Sequence, residues 1–253
     1  MTQKVLITAA ASGIGLEIAR AFSAAGAKVF ITDINMQALE AVKKEMLSVM
    51  TKVCDNSKRA DIEAMVPAAV EALGGLDVLV NNAGIPGPTA PVEKIDPDKW
   101  EAVMAVDLTG TFNVTRLAIP HLKESGAGSI IIMSSLGGRF GYPNRSPYCV
   151  AKWGLIGFAK TLAIELGDHN IRANAIAPGA VGGQRIENVL AGRAKAESKS
   201  MDEERASMLG IQSLKRFVDP KDIAALCVFL ASEAGKSISG QVIPIDNDAL
   251  KAS

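Results

Sequence analysis

Short runs of consecutive apolar residues recur along the chain and alternate with longer stretches of helical periodicity. The apolar runs lie at 4–8, 28–32, 51–54, 76–80, 129–133 and 171–177. They are continuous rather than alternating, which is typical of parallel strands buried on both faces. The helical stretches lie between them, at 16–26, 35–50, 58–73, 96–120 and 147–166. This regular order predicts an α/β fold in one domain over 1–253, a doubly wound parallel sheet of about seven strands with helices on both faces.

One stretch interrupts the alternation. Residues 184–210 are polar, rich in alanine and helical in pattern, and they follow the sixth apolar run. An insertion at this place lies over the carboxyl ends of the strands, where it would form a mobile helical lid on the substrate. The charge pattern alone supports a solvated surface helix equally well.

Polar or small residues lie at or just beyond the end of each predicted strand. They are Gly13, Asp33, Asp55, Asn82, Ser135 and Pro178. The carboxyl ends of parallel strands meet at one edge of the sheet, and doubly wound folds bind their ligands there. We therefore expect these residues to surround a single ligand site.

The segment after the first strand consists of small residues and ends Ser12-Gly13-Ile14-Gly15, directly before a helical pattern. A strand, a glycine turn and a helix N-terminus together bind phosphate, because amides without side chains approach a pyrophosphate at the positive end of the helix dipole. Turns of small residues also occur without a ligand, so this motif alone is weak evidence for a dinucleotide site.

The second strand ends at Asp33, roughly 20 residues beyond the turn. An acid at this place accepts hydrogen bonds from an adenosine ribose and repels a 2′-phosphate, which favours NAD over NADP. No basic residue follows at Ile34 or Asn35, and Ser12 rather than a basic residue precedes Gly13. The alternative is that Asp33 serves only as a cap for the helix predicted to begin at Asn35.

A serine, a tyrosine and a lysine lie around the start of the helix at 147–166. Ser146 before Pro147 predicts an N-cap and a first helical residue, which places Tyr148 in the first turn and Lys152 one turn later on the same face. The ammonium and the positive end of the helix favour the phenolate form of Tyr148, so it is a candidate general base. Ser135, at the end of a strand, is placed to meet the phenol. A lone Tyr-x-x-x-Lys is common by chance, so the interpretation depends on this context.

Composition argues against several other functions. Of 253 residues, 48% are hydrophobic and 21% are charged, as in a folded globular protein, and 27 basic side chains balance 27 acidic ones. Neutrality without a basic stripe argues against a nucleic-acid partner. Two histidines and three separated cysteines indicate no metal site and no disulfide framework. The N-terminal apolar run is too short to span a membrane and lacks a signal-peptide layout, so we expect a cytoplasmic protein with no membrane partner.

Taken together, four motifs resemble the short-chain dehydrogenase/reductase family over nearly the whole chain. They are TAAASGIG at 8–15, NNAG at 81–84, Ser135 with Tyr148 and Lys152, and Pro178-Gly179. The resemblance implies a Rossmann fold and an NAD-dependent oxidoreductase that acts on the CH–OH group of a small molecule. It also implies a homotetramer, with the 96–120 and 147–166 helices at the subunit interface.

The resemblance implies a role for each matching residue. Tyr148 would exchange a proton with the substrate oxygen, Ser135 would hold that oxygen, and Lys152 would bond the nicotinamide ribose. The implied cofactor-binding residues are Ser12, Gly13, Ile14, Gly15, Asp33, Asp55, Asn56, Asn82, Ala83, Gly84, Tyr148, Lys152, Pro178, Gly179 and Val181.

The chain departs from the family pattern at two places near the expected site. Ala9 replaces the first glycine of the turn, and Asp107 stands where the family commonly has an asparagine that relays protons through water. A carboxylate near Lys152 would stabilise its charge but oppose the phenolate of Tyr148. We predict that Asp107, as a further catalytic residue, orders the relay water and moves the pH optimum upward.

Candidate substrate residues are Arg139, Arg145, Gln184 and Arg185. If two of these arginines face the site, an acidic substrate such as a hydroxy acid or sugar acid is favoured, because guanidinium groups match carboxylates. Arginines on loops more often face water, and a polyol then stays a candidate. A second function class is a catalytically silent protein that binds dinucleotide as a sensor, although the complete Ser-Tyr-Lys set favours an enzyme.

Overall fold

The computed structural model describes residues 2–197 and 199–251 and confirms the doubly wound α/β fold. The strands are β1 (Lys4–Ile7), β2 (Lys28–Asp33), β3 (Met50–Val53), β4 (Val78–Asn81), β5 (Ser129–Met133), β6 (Arg172–Pro178) and β7 (Val242–Ile245). The helices are α1 (Gly13–Ala24), α2 (Met36–Glu45), α3 (Arg59–Leu73), α4 (Pro97–Val103), α5 (Gly110–Ser125), α6 (Ser146–Glu165), α7 (Gln184–Glu197), α8 (Met201–Gly210) and α9 (Pro220–Ala231).

The strands of the described residues form one parallel sheet in the order β3-β2-β1-β4-β5-β6-β7. The chain direction across the sheet reverses at β1, whose Ile7 pairs with Ile31 of β2 on one side and with Val80 of β4 on the other. A crevice opens at such a reversal, outside the carboxyl ends of the strands. The fold therefore brings the strand ends to one ligand site.

Helices cover both faces of the sheet because side chains alternate along each strand. In β1, Val5 and Ile7 pack with α1, α2 and α9 on one face. Leu6 points to the other face, where it packs with α3, α5 and α6. Because both faces are apolar, the strands read as continuous apolar runs in the sequence.

Two predicted helices have different bounds in the structure. The helix predicted at 35–50 ends at Glu45, because the chain must turn to bring the buried Val49 and the strand β3 to the sheet. The helix predicted at 96–120 is α4, a π-helical segment Met104–Thr109 and α5, which continues through Pro120. Packing of the flanking Ala118 and Leu122, both fully buried, keeps α5 helical across the proline.

The prediction of Ser146 as an N-cap is wrong. The helix α6 begins at Ser146, its N-cap is Arg145, and neither residue caps with its side chain. The Ser146 hydroxyl is buried without a hydrogen-bond partner among the described residues. Pro147 still occupies the first turn, where its missing N–H costs nothing, so Tyr148 and Lys152 keep their places one turn apart.

Residues 184–210 form two helices, α7 and α8, between β6 and α9. A capping box starts α8, in which Ser200 and Glu203 bond each other's backbone amides. An ion pair of 2.7 Å between Glu187 and Arg205 joins the two helices. Within the described residues, no helix combines the length and apolarity that crossing a bilayer requires.

Candidate active site

The turn after β1 adopts the tight shape that a phosphate site needs. Gly13 has φ +55, and Ala9 also lies in the left-handed region with φ +50, a conformation that costs a non-glycine residue about 1 kcal/mol. A Cβ on Gly15 would lie 2.5 Å from the Ala9 carbonyl oxygen and 2.6 Å from Asn82 Nδ2. Replacement of the family glycine by Ala9 therefore leaves the turn intact, and Gly15 cannot be exchanged.

Other residues of this turn form the start of the first helix. Ser12 is the exposed N-cap of α1 and makes no side-chain cap bond, whereas Ile14 packs against the core. The amides of this first turn are thus left for a ligand at the positive end of the helix dipole.

Asp33 ends β2 beside this turn. Its carboxylate accepts hydrogen bonds from the amides of Ala11 at 3.1 Å and Asn35 at 3.0 Å. The helix α2 is capped by Asn35, which accepts from the amide of Ala38. Asn35 thus supplies the side-chain cap that the alternative interpretation gave to Asp33, and the carboxylate keeps lone pairs for a ribose hydroxyl.

Asp55 and Asn56 follow β3. Burial opposes ionisation of Asp55, but hydrogen bonds from Ser57 and the charge of Lys58 outweigh it and lower the pKa of Asp55. Asn56 is buried, and its Nδ2 has no hydrogen-bond partner among the described residues. Both side chains therefore bring polar groups to the carboxyl end of β3.

Asn82 ties the end of β4 to the turn. Its Nδ2 donates to the carbonyl oxygens of Thr8 at 3.1 Å and Ala9 at 2.8 Å. The amides of Asn82 and Ala83 both donate to Thr8 Oγ1. A Cβ on Gly84 would lie 2.9 Å from Lys152 Nζ, so this position must stay small.

Ser135 and Tyr148 line one cleft of about 130 Å³. Ser135 follows β5, and its Oγ accepts from the amide of Gly137 at 3.2 Å. A Cβ on Gly137 would lie 3.2 Å from the Tyr148 ring, so this glycine lets the short turn after Ser135 pack directly on the phenol. The serine and the tyrosine predicted from the sequence are thus brought to the same cleft.

Lys152 lies beneath Tyr148 and is buried. Its Nζ donates to the carbonyl oxygen of Met133 at 3.2 Å and is 5.6 Å from the centre of the Tyr148 ring. Lys152 Nζ also lies 3.2 Å from Asp107 Oδ2. The buried ammonium beside the phenol thus has a buried carboxylate as its partner.

Asp107 is fully buried in the π-helical segment between α4 and α5. Its Oδ1 accepts from the amide of Ile85 at 2.8 Å. Single π turns inside helices occur frequently at functional sites, where they re-aim a side chain. Here the π turn aims the carboxylate at Lys152, and the departure from the family asparagine therefore lies within the site itself.

Pro178, Gly179 and Val181 border the same strand ends. Pro178 is the last residue of β6, and the Gly179 amide donates to the Ile245 carbonyl oxygen at 3.1 Å. Val181 pairs with Val218 in an isolated bridge. A Cβ on Gly179 would lie 2.8 Å from Asp246, so the turn after β6 packs closely on the C-terminal segment.

The candidate substrate residues have different environments. Arg145 lines the cleft, whereas Arg139 pairs with the buried Asp246 at 2.5 Å. Gln184 is exposed and donates to Asn188. Arg185 lies on α7, and its side chain is outside the described residues. The structure thus gives Arg139 and Gln184 partners within the chain, and among the described side chains Arg145 is the candidate arginine that lines the cleft.

Several cleft residues were missed by sequence reasoning. They include Tyr142 in the loop before α6, Met208 on α8, Ile211 and Gln212 directly after it, and Ala249 near the C-terminal end. Tyr142 lies between Ser135 and Tyr148 in the sequence, and this proximity could have identified it as a cleft residue. The sequence gives no such signal for Gln212 and Ala249, because an isolated bridge between them brings distant segments together.

The cysteines are buried and free. Burial raises the pKa of Cys149 and of Cys227, and burial together with the charge of Asp61 raises the pKa of Cys54 to about 12. Cys149, beside Tyr148, therefore has the character of a small buried thiol rather than a reactive one. Among the described residues, no group of three or more His, Cys, Asp or Glu side chains is arranged to hold a metal ion.

Comparison with known proteins gives similarity over almost the full chain. Residues 8–247 match the family model described as enoyl-(acyl carrier protein) reductase. The chain is 36% identical to the D-beta-hydroxybutyrate dehydrogenase of Cupriavidus necator, over 95% of each chain.

Two solved structures place bound cofactors on this fold. An actinorhodin polyketide ketoreductase with NADPH has a TM-score of 0.93 and 31% identity, covering 97% of this chain and 96% of its own. An NAD⁺-bound xylitol dehydrogenase has a TM-score of 0.91 and 28% identity, covering 96% of this chain and 97% of its own. The fold is thus shared with proteins whose solved structures contain NADPH or NAD⁺.

Proposed function

The chain belongs to the short-chain dehydrogenase/reductase family, and from this membership we propose that it is an NAD-dependent oxidoreductase acting on a secondary alcohol or its ketone. The observation that carries the proposal is the shared cleft of Ser135 and Tyr148, with the Lys152 ammonium buried beneath it. A phenol, a hydroxyl and a cation in this order serve proton transfer at a substrate oxygen.

Tyr148 acts as the general acid/base. In alcohol oxidation its phenolate takes the hydroxyl proton of the substrate, and in ketone reduction its phenol gives the proton back. Lys152 places a positive charge 5.6 Å from the centre of the Tyr148 ring. Ser135 donates a hydrogen bond to the reacting oxygen and stabilises the negative charge that develops there.

The residues of the turn after β1 fit a dinucleotide. The bound nicotinamide supplies the acceptor or donor of the hydride. Gly13, Ile14 and Gly15, with Ser12 before them, would hold the pyrophosphate, since a Cβ at Gly15 would collide with the turn. The remaining cofactor contacts would come from Asp33 at the adenosine ribose, Asp55 and Asn56 at the adenine, Asn82, Ala83, Gly84 and Lys152 at the second ribose, and Pro178, Gly179 and Val181 at the nicotinamide.

The preference for NAD rests on Asp33. Its carboxylate is ordered by two backbone amides, and Ile34 and Asn35 supply no cation for a 2′-phosphate. A negative charge at this place repels the extra phosphate of NADP. Related structures with NADPH and with NAD⁺ show that both cofactors occur on this fold, so the choice depends on such local charges.

The helices α7 and α8 have the place of a substrate lid. Ile186 and Val189 of α7 and Met208 of α8 line the cleft, and the Glu187–Arg205 ion pair holds the two helices together. We propose that they close on bound substrate as one unit and exclude water from the reacting centre.

We also propose a homotetramer formed through α5 and α6. Phe112 on α5 and Val150 and Trp153 on α6 are large apolar side chains that lie exposed. Their helices cover the same face of the sheet, and exposed apolar surface of this kind favours an interface. Light scattering of the purified protein would measure the number of subunits.

An assay of cofactor reduction tests the proposed function. The protein is mixed with NAD or NADP and a panel of secondary alcohols, polyols, hydroxy acids and sugar acids, and the absorbance of the reduced nicotinamide is followed. We expect turnover with NAD that exceeds turnover with NADP. Binding of NAD without turnover of any compound would instead support the dinucleotide-sensing function.

A further inference from the structure

The cleft is lined by a buried cation, Arg145, that is paired with no carboxylate among the described residues. Arg145 is 9% exposed, and its guanidinium lies 5.4 Å from the Tyr142 ring and 5.2 Å from the Tyr148 ring. One nitrogen, Nη2, donates to the Pro86 carbonyl oxygen at 2.7 Å. Within residues 2–197 and 199–251 no carboxylate is paired with it, and its Nε is buried without a hydrogen-bond partner. A buried charge without a partner is costly, so such a site favours an anion.

A second polar side chain of the cleft is also unpartnered. Gln212 is 2% exposed, and among the described residues neither its Nε2 nor its Oε1 has a hydrogen-bond partner. Its backbone is fixed, because its amide donates to the Leu209 carbonyl oxygen at 3.1 Å and it bridges to Ala249. A buried amide with both groups open needs an explanation, and a polar group of a ligand supplies one.

Among the described residues, the rest of the lining is apolar or neutral. Besides Arg145 and Gln212, the cleft is lined by Pro86, Ser135, Leu136, Tyr142, Tyr148, Gly179, Ala180, Ile186, Val189, Met208, Ile211 and Ala249. No acidic side chain is among them, and the lid side is aliphatic. A polyol or a sugar acid would find few partners for its hydroxyls there, whereas a short aliphatic chain fits this lining.

The size of the cleft limits the size of the substrate. A protein cavity of about 150 Å³ holds a benzene molecule. The cleft of about 130 Å³ is of comparable size and therefore suits a small substrate of about six non-hydrogen atoms. Larger substrates would need the lid helices to move apart.

We propose that Arg145 and Gln212 bind the carboxylate of a short aliphatic hydroxy acid, and of the keto acid in the reverse reaction. The free Arg145 Nε–H and the Gln212 Nε2–H donate to the carboxylate oxygens, while the reacting hydroxyl lies at Ser135 and Tyr148. This inference rests on the proposed oxidoreductase function and names its substrate class.

A hydroxy acid and its neutral ester distinguish carboxylate binding by Arg145 and Gln212 from a general effect on catalysis. Kinetics with NAD are measured for 3-hydroxybutyrate and for its neutral methyl ester, in the parent, Arg145→Met, Arg145→Lys and Gln212→Met. We expect Arg145→Met to raise the KM of the acid by about 10- to 100-fold and Gln212→Met by about 10-fold, with the KM of the ester unchanged. Arg145→Lys keeps the charge and should lie between the parent and Arg145→Met. Arg116→Met, which removes an exposed ion pair with Glu63, is the matched control and should change neither KM.

The results that would overturn the carboxylate site differ from those that would overturn the proposed function. Equal changes for acid and ester would overturn the inference, because Arg145 would then act through Tyr148 or through the fold. Unchanged constants for both substrates in Arg145→Met would overturn it as well. If the parent oxidises neutral secondary alcohols but rejects every hydroxy acid, this inference fails and the proposed function stands. If the parent turns over no compound at all, the proposed function itself fails.

A measurement without turnover gives an independent readout. Butyrate, which has the carboxylate but no reacting hydroxyl, is added to the NAD complex, and the melting temperature is followed. We expect stabilisation of the parent and of Arg116→Met that is lost in Arg145→Met. Equal stabilisation of the parent and Arg145→Met would contradict the proposed carboxylate site.

Discussion

Lys152 Nζ and Asp107 Oδ2 lie 3.2 Å apart with both side chains buried. The carboxylate is held in turn by the amide of Ile85 and is aimed by a π-helical segment. The ammonium beneath Tyr148 is therefore one half of an ion pair, and its effect on the phenol is reduced by the charge of its partner.

Replacing Asp107 by asparagine should move the acid limb of the pH–rate profile to lower pH. The neutral amide leaves the positive charge of Lys152 unopposed, so a negative charge at the reacting centre is stabilised more strongly. The asparagine oxygen can still accept from the Ile85 amide, which keeps the backbone in place. Profiles of kcat/KM for the parent and Asp107→Asn check this, and superimposable profiles would refute it.

Exchanging Gly15 for alanine should weaken NAD binding by about 10-fold or more. The added Cβ would lie 2.5 Å from the Ala9 carbonyl oxygen, so the phosphate-binding turn must open. Titration of NAD by fluorescence measures the effect. Gly167→Ala is the matched control, since a Cβ there meets nothing within 4 Å. Equal affinities of Gly15→Ala and Gly167→Ala would contradict the assignment of the turn.

The pair of Arg139 and Asp246 should contribute to stability. Removing the guanidinium in Arg139→Met leaves a carboxylate with 6% side-chain exposure without its partner, which should cost about 2 kcal/mol of unfolding free energy. The double variant Arg139→Met/Asp246→Asn should regain part of this loss. Urea unfolding of the two variants and Asp246→Asn gives the coupling, and strictly additive values would show that the pair contributes nothing.

Alkaline conditions should destabilise the protein through its buried thiols. The pKa of Cys54 is raised from an ordinary 9.0 to about 12. Above the ordinary value the unfolded chain loses this proton while the folded chain keeps it, so stability falls as pH rises between these values. The decrease should be smaller in Cys54→Ala. Equal slopes of unfolding free energy against pH for Cys54→Ala and the parent would contradict the role of this thiol.

The fold was predictable because strands buried on both faces show directly as apolar runs. The ends of the helices and strands were less predictable where tertiary packing overrides local sequence preferences. Pro120 indicated a helix end, but the buried Ala118 and Leu122 keep α5 helical around it. The strand β7 (Val242–Ile245) was not located, since its short run VIPI contains a proline that weakens the strand pattern.

The candidate site was predictable as far as its residues follow strands or share one helix. The positions of Ser135, Tyr148 and Lys152 depend on a single strand–loop–helix unit, which the spacing encodes. Gln212 could not be found in this way, because its place at the cleft depends on its bridge to the C-terminal segment at Ala249. Likewise, the sequence does not show that Arg139 pairs with the carboxylate of Asp246, whereas Arg145 has no carboxylate partner among the described residues.

Removal of the Tyr148 hydroxyl tests most directly whether this residue transfers the proton in an NAD-dependent reaction. We would measure reduction of NAD by 3-hydroxybutyrate and by neutral secondary alcohols in the parent and in Tyr148→Phe, with NAD affinity measured on both proteins. We expect turnover by the parent and a loss of about 100-fold or more in Tyr148→Phe at nearly unchanged NAD affinity. Equal turnover by the two proteins, or NAD binding by the parent without turnover of any substrate, would contradict it.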